Sequence, residues 1–321
     1  MKIRKRTIAL IIVLILILAG CVPGERAALG TLNTLDTMEI LVFGIGRADA
    51  ILIMTENYVV MIDTGERQHG QHIVDYLLYQ NINSIDYLII THFDRDHVGG
   101  AYVILNEMDV RKVIVPNYSR ESNHVNRFEA ALEKAQLEPL ILTETTRFTL
   151  DSADFVVNPS QLEYFHFVRH YEDDASDMTD ETAPLPTGDD YSIVVSIAHG
   201  DNSFLFTGDA VAGRLQELLE NDEIMSIDYD FLKVPRHGRY NRRSIEFIQA
   251  ISPQYAVITG FHPDFLSNYY PERPSDERVI AALEEVGAEI FFTMSVGVRI
   301  RSDGVNLMLQ HENLFAAACS P

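Results

Sequence analysis

From Met38 to Arg301 the chain passes through apolar segments of five to seven residues, separated by stretches whose apolar positions recur every three or four residues. Short apolar runs bounded by turn residues read as buried strands, and the three-to-four period reads as amphipathic helix. Strands are expected at 38–44, 50–54, 58–62, 86–91, 111–115, 192–198, 203–207, 230–234, 255–259, 289–293 and 296–301. Helices are expected at 71–80, 125–136, 211–220, 244–251 and 276–286. Ser244 and Ser275 stand where N-caps belong, and Gly287 stands where a glycine would close the last helix. The two kinds of segment alternate with no internal repeat and no Gly/Ser- or Pro-rich linker. The pattern therefore predicts one α/β domain with two sheets, over residues 38–310.

Two stretches depart from that pattern. At the start, Lys2, Arg4, Lys5 and Arg6 precede an apolar run from Thr7 to Gly20. Fourteen residues fall short of the roughly 20 needed to cross a bilayer as a helix, so residues 1–20 read as a signal peptide. The run ends Leu18-Ala19-Gly20-Cys21, which resembles the lipobox of bacterial lipoproteins. That resemblance implies lipidation of Cys21, a tether over 21–37 and an extracytoplasmic protein anchored to a bacterial membrane. An ordinary cleavage site beside an incidental cysteine is the alternative. The second stretch, 172–190, holds eight acidic residues and two prolines. It reads as a solvated acidic loop or, alternatively, as a lid over a site.

Composition narrows the classes of function. The chain has 321 residues, 47% of them hydrophobic, which is ordinary globular usage. Its formal charge is −22; without the four basic residues of the leader, 21 basic residues face 47 acidic ones, or −26. A general nucleic-acid coat is disfavoured, because phosphate binding wants a basic face. No Gly-x-Ser-x-Gly elbow and no Walker loop is present, and Gly44-Ile45-Gly46 lacks the third glycine of a dinucleotide site.

The chemistry concentrates at Thr91-His92-Phe93-Asp94-Arg95-Asp96-His97-Val98-Gly99-Gly100, directly after an apolar strand. Four metal-ligand residue types fall within six positions, and neighbouring carboxylates repel unless a cation lies between them. The pair Gly99-Gly100 would let the backbone turn tightly there. His92-x-Asp94-x-Asp96-His97 resembles the His-x-His-x-Asp-His signature of the metallo-β-lactamase superfamily. Its aspartate in second place looks like the branch formed by the soluble hydrolase domain of the competence DNA-channel protein (ComEC). Three further segments resemble that branch in the same order: residues 42–54 with Asp63-Thr64-Gly65, then Phe206-Thr207-Gly208-Asp209, then Leu232-Lys233-Val234-Pro235-Arg236-His237-Gly238.

The resemblance implies a four-layer αββα sandwich with two divalent metal ions, Zn²⁺ or Mn²⁺, between the sheets. Position by position, His92 and Asp94 would hold the first ion, Asp96 and His97 the second, Asp209 would bridge both and His237 would complete the second. Asp63 would orient a ligand by hydrogen bonding. Three aspartates would offset the repulsion of two nearby cations, and aspartate in place of histidine makes the first position harder, toward Mn²⁺ as well as Zn²⁺. Several positions depart from the family. Arg236-His237 replaces a pair of histidines, leaving one imidazole, and Glu272-Arg273-Pro274 replaces Gly-His-Pro. His199 reads as a turn residue, His166 and His170 as non-ligands, and His69 and His72 as surface residues.

Taken together, these features predict a metal-dependent hydrolase in which a hydroxide bridging the metals attacks, with Asp96 and Asp209 essential to catalysis. Phosphodiester bonds are the first expectation. Arg236, Arg239 and Arg273 would bind an anionic substrate or, alternatively, make surface ion pairs. Nucleic acid as substrate is weakened by the net charge, and no protein partner is indicated. A hydrolase of a small ester or thioester, and a non-catalytic binding lipoprotein on the same fold, are the other readings left open.

Overall fold

The computed structural model describes residues 37–167, 186–262 and 275–313. Cys21, the signal peptide and tether, His170, Arg273 and most of the acidic stretch lie outside the described residues. Two sheets dominate the domain. The eight-stranded sheet runs, edge to edge, Leu307–Glu312, Gly297–Ser302, Met38–Val42, Ile51–Met54, Val59–Ile62, Tyr87–Ile89, Val113–Pro116 and Leu140–Leu142. The seven-stranded sheet runs Thr146–Leu150, Ala153–Asn158, Val194–His199, Asn202–Phe206, Phe231–Lys233, Tyr255–Ile258 and Glu289–Phe292. In each, antiparallel pairing gives way to parallel pairing: at Val59–Ile62 with Tyr87–Ile89 in the first, and at Asn202–Phe206 with Phe231–Lys233 in the second.

Three apolar clusters mark three interfaces between four layers. Ile40, Val42, Ile53, Val60 and Ile62 of one sheet meet Phe155, Val195, Ile197, Phe204, Phe206 and Phe231 of the other. Leu41, Leu52, Met61 and Leu88, on the opposite face of the first sheet, pack under helices Arg67–Tyr79, Ala101–Glu107 and Asn123–Ala135. Leu205, Leu232 and Ala256 do the same beneath Ala212–Leu219, Ser244–Ile251 and Glu277–Glu285. This is the αββα sandwich. Adjacent residues such as Leu205 and Phe206 are buried on opposite faces, so the central strands read as unbroken apolar runs. Fully burying each such phenylalanine contributes roughly 1.5–3 kcal/mol.

The helix ends differ in detail from expectation. Asp276, not Ser275, caps the last helix by accepting from Arg278 N. Ser244 is the first helical residue, its hydroxyl accepting from Asn241 N. Gly287 does follow that last helix with φ +81°. The parallel strands matter most for function, because their C-terminal ends carry Asp63, Thr91-His92, Asp209, His237 and Thr259 into one place.

Candidate metal centre

The site starts from the exit of Val59–Ile62. Asp63 adopts φ +57°, a left-handed conformation that aspartate tolerates better than most residues, and is fully buried. Its carboxylate accepts from Thr91 N at 2.8 Å and Thr91 Oγ1 at 2.6 Å, and pairs with His97 Nδ1 at 2.8 Å. Thr91 Oγ1 lies 3.0 Å from His92 Nδ1. Because that hydroxyl donates to Asp63, it accepts from His92. On the other side, Thr259 Oγ1 donates to Asp49 Oδ1 at 2.6 Å and lies 3.0 Å from His237 Nδ1. All three imidazoles therefore keep a hydrogen on Nδ1 and present Nε2, the arrangement in which a partner hydrogen bond fixes a metal-ligating histidine.

What those nitrogens face is the central observation. Nε2 of His92, His97 and His237, together with Asp209 Oδ1, are buried without a hydrogen-bond partner. Buried polar atoms are nearly always paired. The separations are His97 Nε2 to Asp209 Oδ1, 3.4 Å; His237 Nε2 to Asp209 Oδ2, 3.2 Å; His237 Nε2 to Asp96 Oδ2, 3.3 Å; and His92 Nε2 to Asp189 Oδ1, 3.6 Å. Two atoms bound at about 2.1 Å to one tetrahedral ion lie about 3.4 Å apart. The donor set thus fits divalent cations: imidazole nitrogens and carboxylate oxygens, grouped as His92–His97–Asp209, Asp96–His97–His237, His92–Asp94–Asp189 and Asp49–Asp209–His237.

Electrostatics describe the same need for cations. Burial and the neighbouring His97 lower the pKa of His92, against the pull of Asp94 and Asp209. For His97 burial opposes the charge, but Asp209 and Asp63 prevail and hold its pKa well above the usual value. His237 also overcomes burial and is raised to about 10, chiefly by Asp209 with Asp49 and Asp96 adding. Asp189 is pushed up to about 7 by burial, against Arg236 and with the charges of Asp94 and Asp209 adding.

Among the expected residues, His92, His97, Asp209 and His237 meet at the centre and Asp96 lies on its His237 side. Asp94, half-buried, lies on the His92 side and is ion-paired with Arg120. Asp209 is grouped with His92 and, separately, with His237. Asp63 underlies His97. Arg236 is buried and directs Nε onto Asp189 Oδ2 at 3.0 Å, whereas Arg239 is half-buried beside it. Burial and the charges of Arg236 and Arg47 lower the pKa of Arg239 to about 10. Arg273 lies outside the described residues.

Among the described residues, the histidines set aside stay away from this centre. His199 is a buried strand-end residue held by Ser302 and Ser152 rather than an open turn residue, and His166 meets Ser119 at the surface. His72 is exposed, while His69 is half-buried and accepts from Glu66 N.

Three buried participants have no place in the ligand set that the resemblance implies, although Asp49 and Lys233 stand in segments that resemble the family. Asp49 takes an ion pair from the buried Lys233, whose ammonium also donates to Gly208 O at 2.9 Å. Asp189, next to last in the acidic stretch expected to be solvated, is only 8% exposed. The solvated reading fails there because the turn Gly188–Tyr191 folds against Asp94: a Cβ on Gly188 would come within 2.9 Å of Tyr118 Oη and 3.2 Å of Asp94 Oδ1. A smaller correction concerns Gly99 and Gly100, whose φ of −59° and −85° is ordinary helical backbone. They permit close approach instead, since a Cβ on Gly100 would come within 2.4 Å of Thr64 O.

Comparison with known proteins agrees with this architecture. Residues 44–262 match the model of the metallo-beta-lactamase superfamily. The chain is 27% identical over 242 residues to ComE operon protein 3 of Bacillus subtilis, and 24% identical over 248 residues to competence protein ComA of Neisseria gonorrhoeae. These matches cover 69% and 77% of the chain but only 28% and 30% of those longer proteins. Among solved structures, the metallo-beta-lactamase fold protein YhfI of Bacillus subtilis aligns over 80% of the chain and 96% of its own, at 11% identity and a TM-score of 0.48. By the extent of its family match, this chain belongs to the metallo-beta-lactamase superfamily.

Proposed function

We propose that the protein is a metal-dependent hydrolase of phosphodiester bonds. The observation that carries this reading is the convergence of three buried, unpartnered imidazole nitrogens on Asp209, ringed by Asp94, Asp96 and Asp189. Divalent ions held there would lower the pKa of bound water toward neutrality and polarise the attacked phosphoryl oxygen. The chain's own residues do the positioning. Asp63 and Thr91 fix the rings of His92 and His97, and Asp49 with Thr259 fixes His237, so no ligand must reorganise when an ion binds. Asp209, anchored through its N–H on Ser192 Oγ at 3.2 Å, reaches both histidine groups. Arg239, half-buried among Arg236 and Arg47, supplies positive charge beside this acidic centre, which favours an anionic substrate over a neutral ester. The lipobox-like Cys21 supports anchoring to a bacterial membrane from its outer side, where the substrate would be met.

The test is metal analysis of the purified protein followed by hydrolysis of bis(p-nitrophenyl) phosphate, single-stranded DNA and p-nitrophenyl acetate in Mn²⁺ and Zn²⁺. Two bound ions and a preference for the diester are expected, with Asp209→Ala losing most metal and all turnover. Full activity after exhaustive chelation would exclude the reading, and a preference for the neutral ester would replace the phosphodiester with a carboxylic ester.

A further inference from the structure

We infer that Arg47 and Arg239 form an anion site beside the metal centre that receives a second phosphate of the substrate, so that the favoured substrate is a phosphodiester carrying another phosphate next to the scissile one. The inference rests on the proposed hydrolase reading and narrows its substrate class. It brings in Arg47, which lies outside the 92–97 cluster, and it gives Arg239 a specific chemical partner.

The backbone brings the two arginines to one segment. Arg47 follows Gly46, which has φ +77° and is fixed by its N–H on Met294 O at 2.8 Å. A Cβ on Gly46 would lie 3.8 Å from Phe261 Cζ. Two residues after Arg47, Asp49 N donates to Asp96 O at 3.1 Å, and the Asp49 carboxylate accepts from Thr259 Oγ1. The loop 46–49 thus touches both the turn that bears Asp96 and the strand exit Thr259-Gly260-Phe261. The turn after Pro235 brings Arg239 to the same exit. A Cβ on Gly260 would come within 3.2 Å of His237 O, and Ser275, whose N–H donates to Phe261 O, also donates its hydroxyl to His237 O at 3.0 Å. Arg239 then follows Gly238, its N–H donating to Arg236 O at 2.9 Å.

Charge and burial at this place point to an anion. Arg47 is half-buried, and its Nε is buried with no hydrogen-bond partner. A guanidinium donor hidden from water without an acceptor is as uncommon as an unpaired imidazole nitrogen. Arg236 is committed to Asp189. Burial, then the charges of Arg236 and Arg47, lower the pKa of Arg239, while Asp189 and Asp209 act in the opposite sense. Metal ions on Asp209 and its neighbours would take up the negative charge that offsets these arginines, leaving them the more electropositive. Like charges partly removed from water are relieved by an anion between them. The single charge of the scissile diester is met by the metal ions, so the arginines select a further group. A phosphate monoester offers three acceptor oxygens and nearly two negative charges, enough for more than one guanidinium fork, whereas a carboxylate offers two oxygens and one charge.

The experiment compares thymidylyl-(3′→5′)-thymidine with its 5′-phosphorylated and 3′-phosphorylated forms in Mn²⁺, as ratios of kcat/KM, for wild type, Arg47→Gln, Arg47→Lys and Arg239→Gln of the full chain. Circular dichroism checks folding and metal analysis checks loading. Binding is read separately, by titration calorimetry of the metal-loaded proteins with the methylphosphonate-linked analogues, which resist hydrolysis. Wild type should prefer one phosphorylated form by at least about tenfold in both readouts, the worth of one charge-assisted hydrogen bond. Arg47→Gln and Arg239→Gln should each remove most of that preference. Arg47→Lys keeps the charge without the planar fork and should retain part of it. Wild type that cleaves and binds all three forms equally, or folded, metal-loaded Arg47→Gln that keeps the full preference, would overturn the inference while the hydrolase stands. Wild type that prefers a phosphorylated analogue through Arg47 but cleaves no diester would keep the anion site and overturn the hydrolase. Wild type that takes up no metal, cleaves no diester and binds no analogue would overturn both.

Discussion

Replacing Lys233 by methionine tests whether the centre is electrostatically built as the structure indicates. The ammonium is fully buried, ion-paired with Asp49 and 3.6 Å from Asp209 Oδ1. Methionine fills nearly the same space, so the change removes charge without opening a cavity. What stays behind is the Asp49 carboxylate, still accepting from Thr259 Oγ1 and 3.4 Å from His237 Nδ1, but without the ammonium that pairs with it most closely. Gly208 O also loses its donor. Breaking a buried ion pair by removing one partner costs about 3–5 kcal/mol. With a urea slope of about 3 kcal/mol per M, the unfolding midpoint should fall by about 1–1.7 M. The assay is urea unfolding, followed by circular dichroism at pH 7 on metal-free protein, of Lys233→Met, Asp49→Asn and the double variant. The double variant removes both charges and should recover about 2 kcal/mol of the summed losses. A midpoint lowered by less than about 0.3 M in Lys233→Met, or strictly additive losses, would refute the claim that Lys233 compensates Asp49.

Two further outcomes follow from the site and from the chain's start. Asp209 and its neighbours hold His97 well above the usual histidine value and raise His237 to about 10, so protons compete with an ion for Nε2 in metal-free protein. Loading should release protons at pH 7, read by calorimetry in buffers of differing ionisation enthalpy. Affinity should rise with pH and level off as pH approaches about 10, since protons compete hardest on the acid side; uptake independent of buffer and pH would contradict the assignment of those nitrogens as ligands. For Cys21, Cys21→Ala should shift the protein from the membrane fraction to the soluble fraction or block its processing, and wild type found wholly soluble outside the cell would defeat lipid anchoring.

How far the chain discloses this site depends on whether a feature is local. The central strands are buried on both faces, so 203–207 or 58–62 announce themselves as apolar runs. The edge strand Thr146–Leu150 alternates exposed and buried positions around Arg147 and Thr149, and Leu307–Glu312 is half exposed; both escape a search for apolar runs. The ligands at 92–97 crowd one loop and are legible for the same reason of locality. Asp49 and Lys233 stand in segments that resemble the family, but their pairing is not legible, because each makes sense only against the other. Asp189 is hidden differently, as one of eight acidic residues in a stretch that looks solvated. Arg236, taken by itself, looks like a lost ligand or a substrate contact. Set 3.0 Å from the carboxylate of Asp189, 47 residues earlier in the chain, it becomes an ion-pair partner inside the site. A departure from a family motif therefore has no fixed meaning at its own position: an arginine where histidine is usual takes its role from what it meets, and here it meets the buried carboxylate of Asp189.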